Sequence, residues 1–134
     1  MQTKHRSTCP VTFALDLIGD KWSLLILRDI ILQGKQFYHE FTESDEGIST
    51  NILASRLSML EASGILSKKR DAHDRKRFIY SPTEKGLDLL PVIIAMVQWS
   101  AKYDADTGAP PDVIATIGKD PLAFMEAIQA KFLS

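Results

Sequence analysis

The sequence predicts a mainly α-helical fold carrying one small β-hairpin, and three observations lead there. Apolar residues recur at helical spacing along most of the 134 residues, with Gly, Asp, Ser or Thr between the segments. One stretch departs from that period: Ile65-Leu-Ser-Lys-Lys-Arg70 and Arg77-Phe-Ile-Tyr-Ser81 read as two strands joined by a polar loop, 71–76. A chain with 45% hydrophobic and 25% charged residues has the proportions of a packed core, and its length fits one domain over 1–134.

The elements follow in order. Thr12 to Ile18 has near-helical apolar spacing and stops at Gly19. Asp20 is a good N-cap for a helix from Lys21 to Gln33, ended by Gly34. That helix is apolar almost all round (Trp22, Leu24 to Leu27, Ile30 to Leu32) and is expected at the centre of the core. A short helix with Phe37 and Phe41 on one side closes at Asp45-Glu-Gly47. Ser49 then caps a helix to about Ser63, with Leu53, Leu57 and Leu60 as its buried stripe. Asn51, Ser55, Ser58 and Ala62 lie on the opposite side, a small polar face without the Glu and Lys of an ordinary solvated helix. After the hairpin, Thr83 caps a long helix to about Tyr103, kinked at Pro91. Gly108-Ala-Pro-Pro111 breaks the chain before a last amphipathic helix carrying Leu122, Met125, Ile128, Ala130 and Phe132.

The order of elements matters most. Two helices joined by a short turn, the second with a small polar outer face, followed by a basic hairpin, describe a winged helix-turn-helix. Such a fold puts the second helix in the major groove of duplex DNA and the hairpin wing on the neighbouring backbone. The net charge of −1 is uninformative, but its distribution is not. Lys68, Lys69, Arg70, Arg75, Lys76 and Arg77 face only Asp71 and Asp74 in the wing, whereas acids outnumber lysines from Phe78 onward. Phosphate neutralisation requires that placement.

Here the residues resemble a known family. Cys9-Pro-Val11, Gly19-Asp-Lys-Trp22 and Leu25-Ile-Leu-Arg28 look like the opening signature of HxlR-type regulators, relatives of the MarR winged-helix repressors. Phe37, Gly47-Ile-Ser49, Leu53, Arg56-Leu57, Leu60-Glu61, Gly64, Tyr80-Ser81, Thr83-Glu-Lys-Gly86, Pro91 and Trp99 continue the pattern. The resemblance covers roughly 9–100. It implies a homodimer bound to a pseudo-palindromic operator in double-stranded DNA, with dimer contacts from the first helix and from the C-terminal helices over 83–134. Two departures stand out: His73-Asp-Arg-Lys-Arg77 replaces the proline-containing wing turn usual in that family, and 108–134 is a longer extension than usual.

The candidate DNA-binding residues are Ser49, Thr50, Asn51, Ser55, Arg56 and Ser58 on the recognition helix, Lys35 and Gln36 before the third helix, and Arg75, Lys76 and Arg77 in the wing. Asn can pair bidentately with adenine, and Ser or Thr can donate or accept at bases or phosphates. Arg56 lies nearer the core side, so a phosphate contact and an intramolecular ion pair both remain open. The alternative function is a winged helix kept for protein contacts alone, in which the wing's charge would be dispensable. No phosphate-binding glycine loop, nucleophile elbow or paired-histidine zinc motif is present. His5, His39 and His73 lack ligand spacing, so no enzyme activity, cofactor or metal is expected. No signal peptide or membrane span is recognisable, which predicts a cytoplasmic protein.

The single cysteine, Cys9, has two readings. It is a small buried thiol packed on the first helix, or it is a sensor of oxidants or electrophiles, a role that some HxlR-type regulators give to a cysteine at this point. The start of a helix favours a thiolate, and Lys4 and Arg6 are near in sequence. The identity of an oxidant or small-molecule effector is not encoded in any of these features.

Overall fold

A computed structural model describes residues 6–133. They form two compact units that meet in sequence at Gly86 and Leu87. The first contains α1 (Pro10–Ile18), α2 (Ser23–Ile31), α3 (Tyr38–Phe41), α4 (Thr50–Ala62), β1 (Leu66–Arg70) and β2 (Phe78–Pro82). The short α5 (Glu84–Leu87) runs across the boundary. The second unit contains α6 (Leu90–Tyr103), α7 (Pro111–Lys119) and α8 (Pro121–Leu133).

In the first unit, Ile26, Leu27, Ile30 and Ile31 of α2 are buried together with Phe41, Ile48, Leu53, Leu57, Leu60, Ile65 and Leu66. Each such side chain contributes about 1.5–3 kcal/mol relative to exposure. The expected strands and hairpin agree with the observed ones to within a residue. β1 and β2 pair antiparallel, with Lys68 opposite Tyr80. Two glycines are required here. Gly64, at φ +75°, takes the left-handed conformation that ends α4, and the Ile65 amide returns to the Leu60 carbonyl at 2.9 Å. A Cβ on Gly86 would meet the Ile65 carbonyl oxygen at 2.2 Å, so only glycine lets α5 approach the backbone just before β1.

Four expectations need correction. The second helix is shorter than Lys21 to Gln33. Asp20 does cap, but its carboxylate takes the amides of Trp22 and Ser23, each at 3.0 Å, and holds 21–22 as a turn. That helix is also not apolar all round. It buries the carboxylate of Asp29, which Arg28 (2.7 Å), Lys35 (3.3 Å) and the Ser44 hydroxyl all engage. Arg28 also grips Glu46 at 2.8 Å, and that contact lowers the Glu46 carboxyl to about 2.

The long helix from Thr83 to Tyr103 is two helices. Pro91 lies in the first turn of α6 and does not kink a continuous helix. A continuous helix would need the residue 91 amide to donate to the Leu87 carbonyl, and proline has no such hydrogen. The chain therefore stops at Leu87 and restarts at Leu90, while the Gln129 side chain donates to the freed Leu87 carbonyl at 3.4 Å. Thr83 still caps, its hydroxyl accepting from the Gly86 amide at 3.2 Å. Finally, the C-terminal segment holds two helices. Pro111 begins α7, and Asp120 separates it from α8, whose Ala123 amide its carboxylate accepts at 3.1 Å.

Candidate nucleic-acid interface

The Ser49 hydroxyl accepts from the Ile52 amide at 3.3 Å and so fixes the start of α4. The Tyr38 hydroxyl donates to the Thr50 carbonyl at 3.1 Å, tying α3 to the same turn. With Leu53, Leu57 and Leu60 buried, the helix exposes Thr50, Asn51, Ala54, Ser55, Ser58 and Ala62, with Ile52 exposed at its first turn. No lysine, aspartate or glutamate stands on that exposed face. Short side chains let a helix approach base edges closely.

Beside this face is a concavity of about 330 Å³ lined by Asp20, Trp22, Asn51, Ile52, Ser55 and Arg56. The Arg56 guanidinium donates to the Ser55 hydroxyl at 3.3 Å and lies 3.8 Å from the Asp20 carboxylate. The structure thus contains the intramolecular pair that the sequence left open for Arg56. Burial pushes the Asp20 carboxyl up, but the Ser23 hydroxyl, the Trp22 and Ser23 amides and the Arg56 charge outweigh it, leaving Asp20 below the usual carboxylate range.

The wing is braced by its own cations. Lys68 and Arg70 lie over the Phe78 ring at 4.7 and 4.8 Å, and Arg70 donates to the Arg75 carbonyl at 2.6 Å. Arg77 is the main brace. Its Nε donates to the buried Asp71 carboxylate at 2.7 Å, and its guanidinium covers Phe37 at 3.9 Å from the ring centre. Next to it, the Tyr80 amide donates to the Gln36 carbonyl at 2.8 Å, which fastens β2 to the segment before α3. The His73 amide, and then Arg77, hold the Asp71 carboxyl below its ordinary range.

The candidates therefore divide by position. Thr50, Asn51, Ser55 and Ser58 share the open face of α4; Arg75 and Lys76 are exposed at the wing tip; the Gln36 side chain is exposed at the wing's base. Ser49 accepts the cap bond, Arg77 is bound through Nε to Asp71 and lies over Phe37 while its side chain stays 42% exposed, and Lys35 is bound to Asp29 and the Ser44 hydroxyl at 3.2 Å. Sequence reasoning did not foresee that Asp20 and Trp22 line the same concavity as Asn51, because that juxtaposition joins residues thirty positions apart.

Cys9 is exposed at the N-cap of α1, which overturns the buried-thiol reading. The amides of Thr12 and Val11 at the helix start lower its thiol below the ordinary value. The expected help from Arg6 is absent, since its Nε is bonded to Asp16 at 2.9 Å. Lys4 lies outside the described residues.

Comparison with known proteins agrees with this geometry. The HxlR-like helix-turn-helix family matches residues 17–107. The HTH-type transcriptional regulator YdeP of Bacillus subtilis, itself uncharacterized, is 36% identical over 95 residues, spanning 71% of this chain and 73% of that one. The crystal structure of PA1607, a candidate transcription factor, superposes with a TM-score of 0.70 at 36% identity, covering 78% of this chain and 73% of the other. The redox regulator HypR in its oxidized form gives a TM-score of 0.63 at 34% identity, covering 70% of this chain and 96% of its own. Among the described residues no helix is long and apolar enough to cross a membrane. With a small-residue helix, a braced basic hairpin and a family match over two thirds of its length, the chain belongs to the HxlR-like helix-turn-helix family and is a winged-helix transcription regulator.

Proposed function

We propose that the protein is a homodimeric, non-enzymatic regulator that binds a pseudo-palindromic operator in double-stranded DNA. Asn51, Ser55, Ser58 and Thr50 face the major groove, with Arg75, Lys76 and Gln36 on phosphates. The observation that carries this reading is the uncharged, short-side-chain face of α4 placed next in the chain to an exposed cationic wing tip. Arg77 is assigned to bracing the wing and Lys35 to neutralising Asp29.

An electrophoretic shift over a salt series tests this. Arg75→Ala with Lys76→Ala is expected to weaken binding to every duplex and to lower the log–log salt slope by about 0.9 for each phosphate left without its cation. An unchanged slope removes the wing from the interface and favours the protein-contact alternative. Arg77→Ala is expected to differ, lowering the melting temperature by leaving the buried Asp71 carboxylate with the His73 amide but no counter-ion.

The dimer reading rests on apolar faces left open. On α6, Val92, Met96, Trp99 and Tyr103 are all exposed at spacings of four, three and four, the pattern of a coiled-coil seam. Val11 and Leu15 present a second apolar pair on α1, and α8 buries no residue in the single chain. Two winged helices related by a two-fold axis would match a palindrome.

Redox or electrophile sensing belongs to the same proposal, supported by the exposed, acidified Cys9 thiol and by the likeness to the redox regulator HypR. The thiol alkylation rate of the folded protein is expected to reach half its maximum at a lower pH than that of the unfolded chain. DNA affinity is expected to change after treatment with diamide or a quinone. Identical pH profiles, or DNA binding untouched by modification, sink the sensor role.

A further inference from the structure

Asp20 stands outside α4, in the turn before α2, yet it lines the concavity shared with Asn51 and Ser55. Its carboxylate is immobilised by three local donors: the Trp22 amide at 3.0 Å, the Ser23 amide at 3.0 Å and the Ser23 hydroxyl at 2.6 Å. A carboxylate so held is a fixed point for the Arg56 guanidinium 3.8 Å away, whose side chain is 30% exposed. A nearby carboxylate weakens a cation's pull on phosphate, because the pair's net charge is zero. It also restricts the guanidinium's rotation, and a neutral base edge needs orientation more than charge. The polar groups around Arg56 are likewise base-reading types, Asn and Ser.

We propose that Asp20 is a specificity-determining positioning residue that holds the Arg56 guanidinium beside Asn51 and Ser55, presenting its remaining N–H edge to the O6 and N7 acceptors of a guanine in the major groove. The assignment rests on the proposed docking of α4 and adds to it one base identity and a residue from outside the recognition helix.

The test starts from a duplex selected by the wild-type full-length protein from a random-sequence library. Each guanine in turn is replaced by 7-deazaguanine, which lacks the N7 acceptor. One guanine per half-site is expected to show a loss of about 5- to 150-fold with wild type. Asp20→Asn keeps a side-chain acceptor for the Trp22 and Ser23 amides, since Asn caps helices as well as Asp, while it removes the charge and turns the oxygen that faces Arg56 and the Ser23 hydroxyl into an NH2 donor. With this variant and with Arg56→Lys the penalty at that guanine is expected to shrink to under about threefold, while Asp20→Glu restores part of it. Scrambled duplex is expected to bind Asp20→Asn at least as tightly as wild type, because a negative charge has left the interface.

Tighter binding of Asp20→Asn to selected and scrambled DNA with the guanine penalty intact makes Asp20 a bystander charge and overturns the proposal. A loss for Arg56→Gln that is uniform across sequences and lowers the salt slope by about 0.9 assigns Arg56 to phosphate, and overturns it too. The parent reading fails separately, if the wild-type protein selects no sequence from the library or Asn51→Ala leaves all base preferences intact.

Discussion

Asn51→Ala is expected to lower affinity for a selected operator by about 1–3 kcal/mol, with the loss confined to one or two base positions per half-site. The side chain is exposed one residue into α4, and among the described residues no hydrogen bond within the chain engages its amide. The folded state thus loses little when it is truncated, and circular dichroism and melting temperature are expected to stay at wild-type values. Base-substitution panels then separate two outcomes. Relaxed preference at an adenine, with scrambled DNA bound as before, is the signature of a bidentate contact. Equal losses on operator and scrambled duplex would sink the base-reading role and leave Asn51 as surface. The contrast with the wing variant is built into the chemistry: freeing a phosphate changes the salt slope, whereas freeing a base edge changes the sequence ranking.

Trp99→Glu is expected to have a larger effect, because it acts on both half-sites at once. Trp99 is 67% exposed in the single chain and lies 5.4 Å from the Tyr103 ring, in the middle of the α6 seam. Exposed tryptophans on such a seam are typical interface anchors, and truncating one costs about 2 kcal/mol or more. A glutamate there would also have to be desolvated for the seam to close. Light scattering at micromolar concentration is expected to report a monomer, and operator affinity is expected to fall to that of an isolated half-site. Trp99→Phe is expected to keep the dimer. A dimer that survives the Glu substitution unchanged moves the subunit contact off α6. Truncation after Gly108 then reports on α7 and α8 separately, since it removes both and spares the seam.

Much of this architecture is legible before any coordinates. The leucine spacing of α4, its serine cap and Gly64 fix that helix to within a residue, because capping and periodicity act over three or four positions. The hairpin is equally local: its strands differ from the expected ones only at their ends. The family resemblance is legible too, since its spaced residues extend across most of the span that the family matches. Pro91 shows the limit of local reading. A proline inside an apolar helical pattern fits a kink or a fresh start, and what becomes of the Leu87 carbonyl depends on Gln129, forty-two residues away. The two C-terminal helices read as one although their boundary is local: Asp120 accepts the Ala123 amide three residues on and Pro121 opens α8, a start signal masked by the apolar spacing around it.

By itself the sequence determined the order of elements through the hairpin, the uncharged outer face of α4, the cationic hairpin and the family. These are properties of single elements, written in residue type and spacing. The tertiary structure alone decided which charges are available. Arg75 and Arg77 are two residues apart, chemically identical and both exposed, yet only Arg77 is bound to Asp71 and covers Phe37. Lys35 is likewise occupied by Asp29, Arg56 is tethered to Asp20, and Cys9 is open to solvent. A charged side chain takes whichever partner the fold brings within a few ångströms. Which partner that is depends on how the loop or the neighbouring element folds back, and residue type and spacing alone do not encode it.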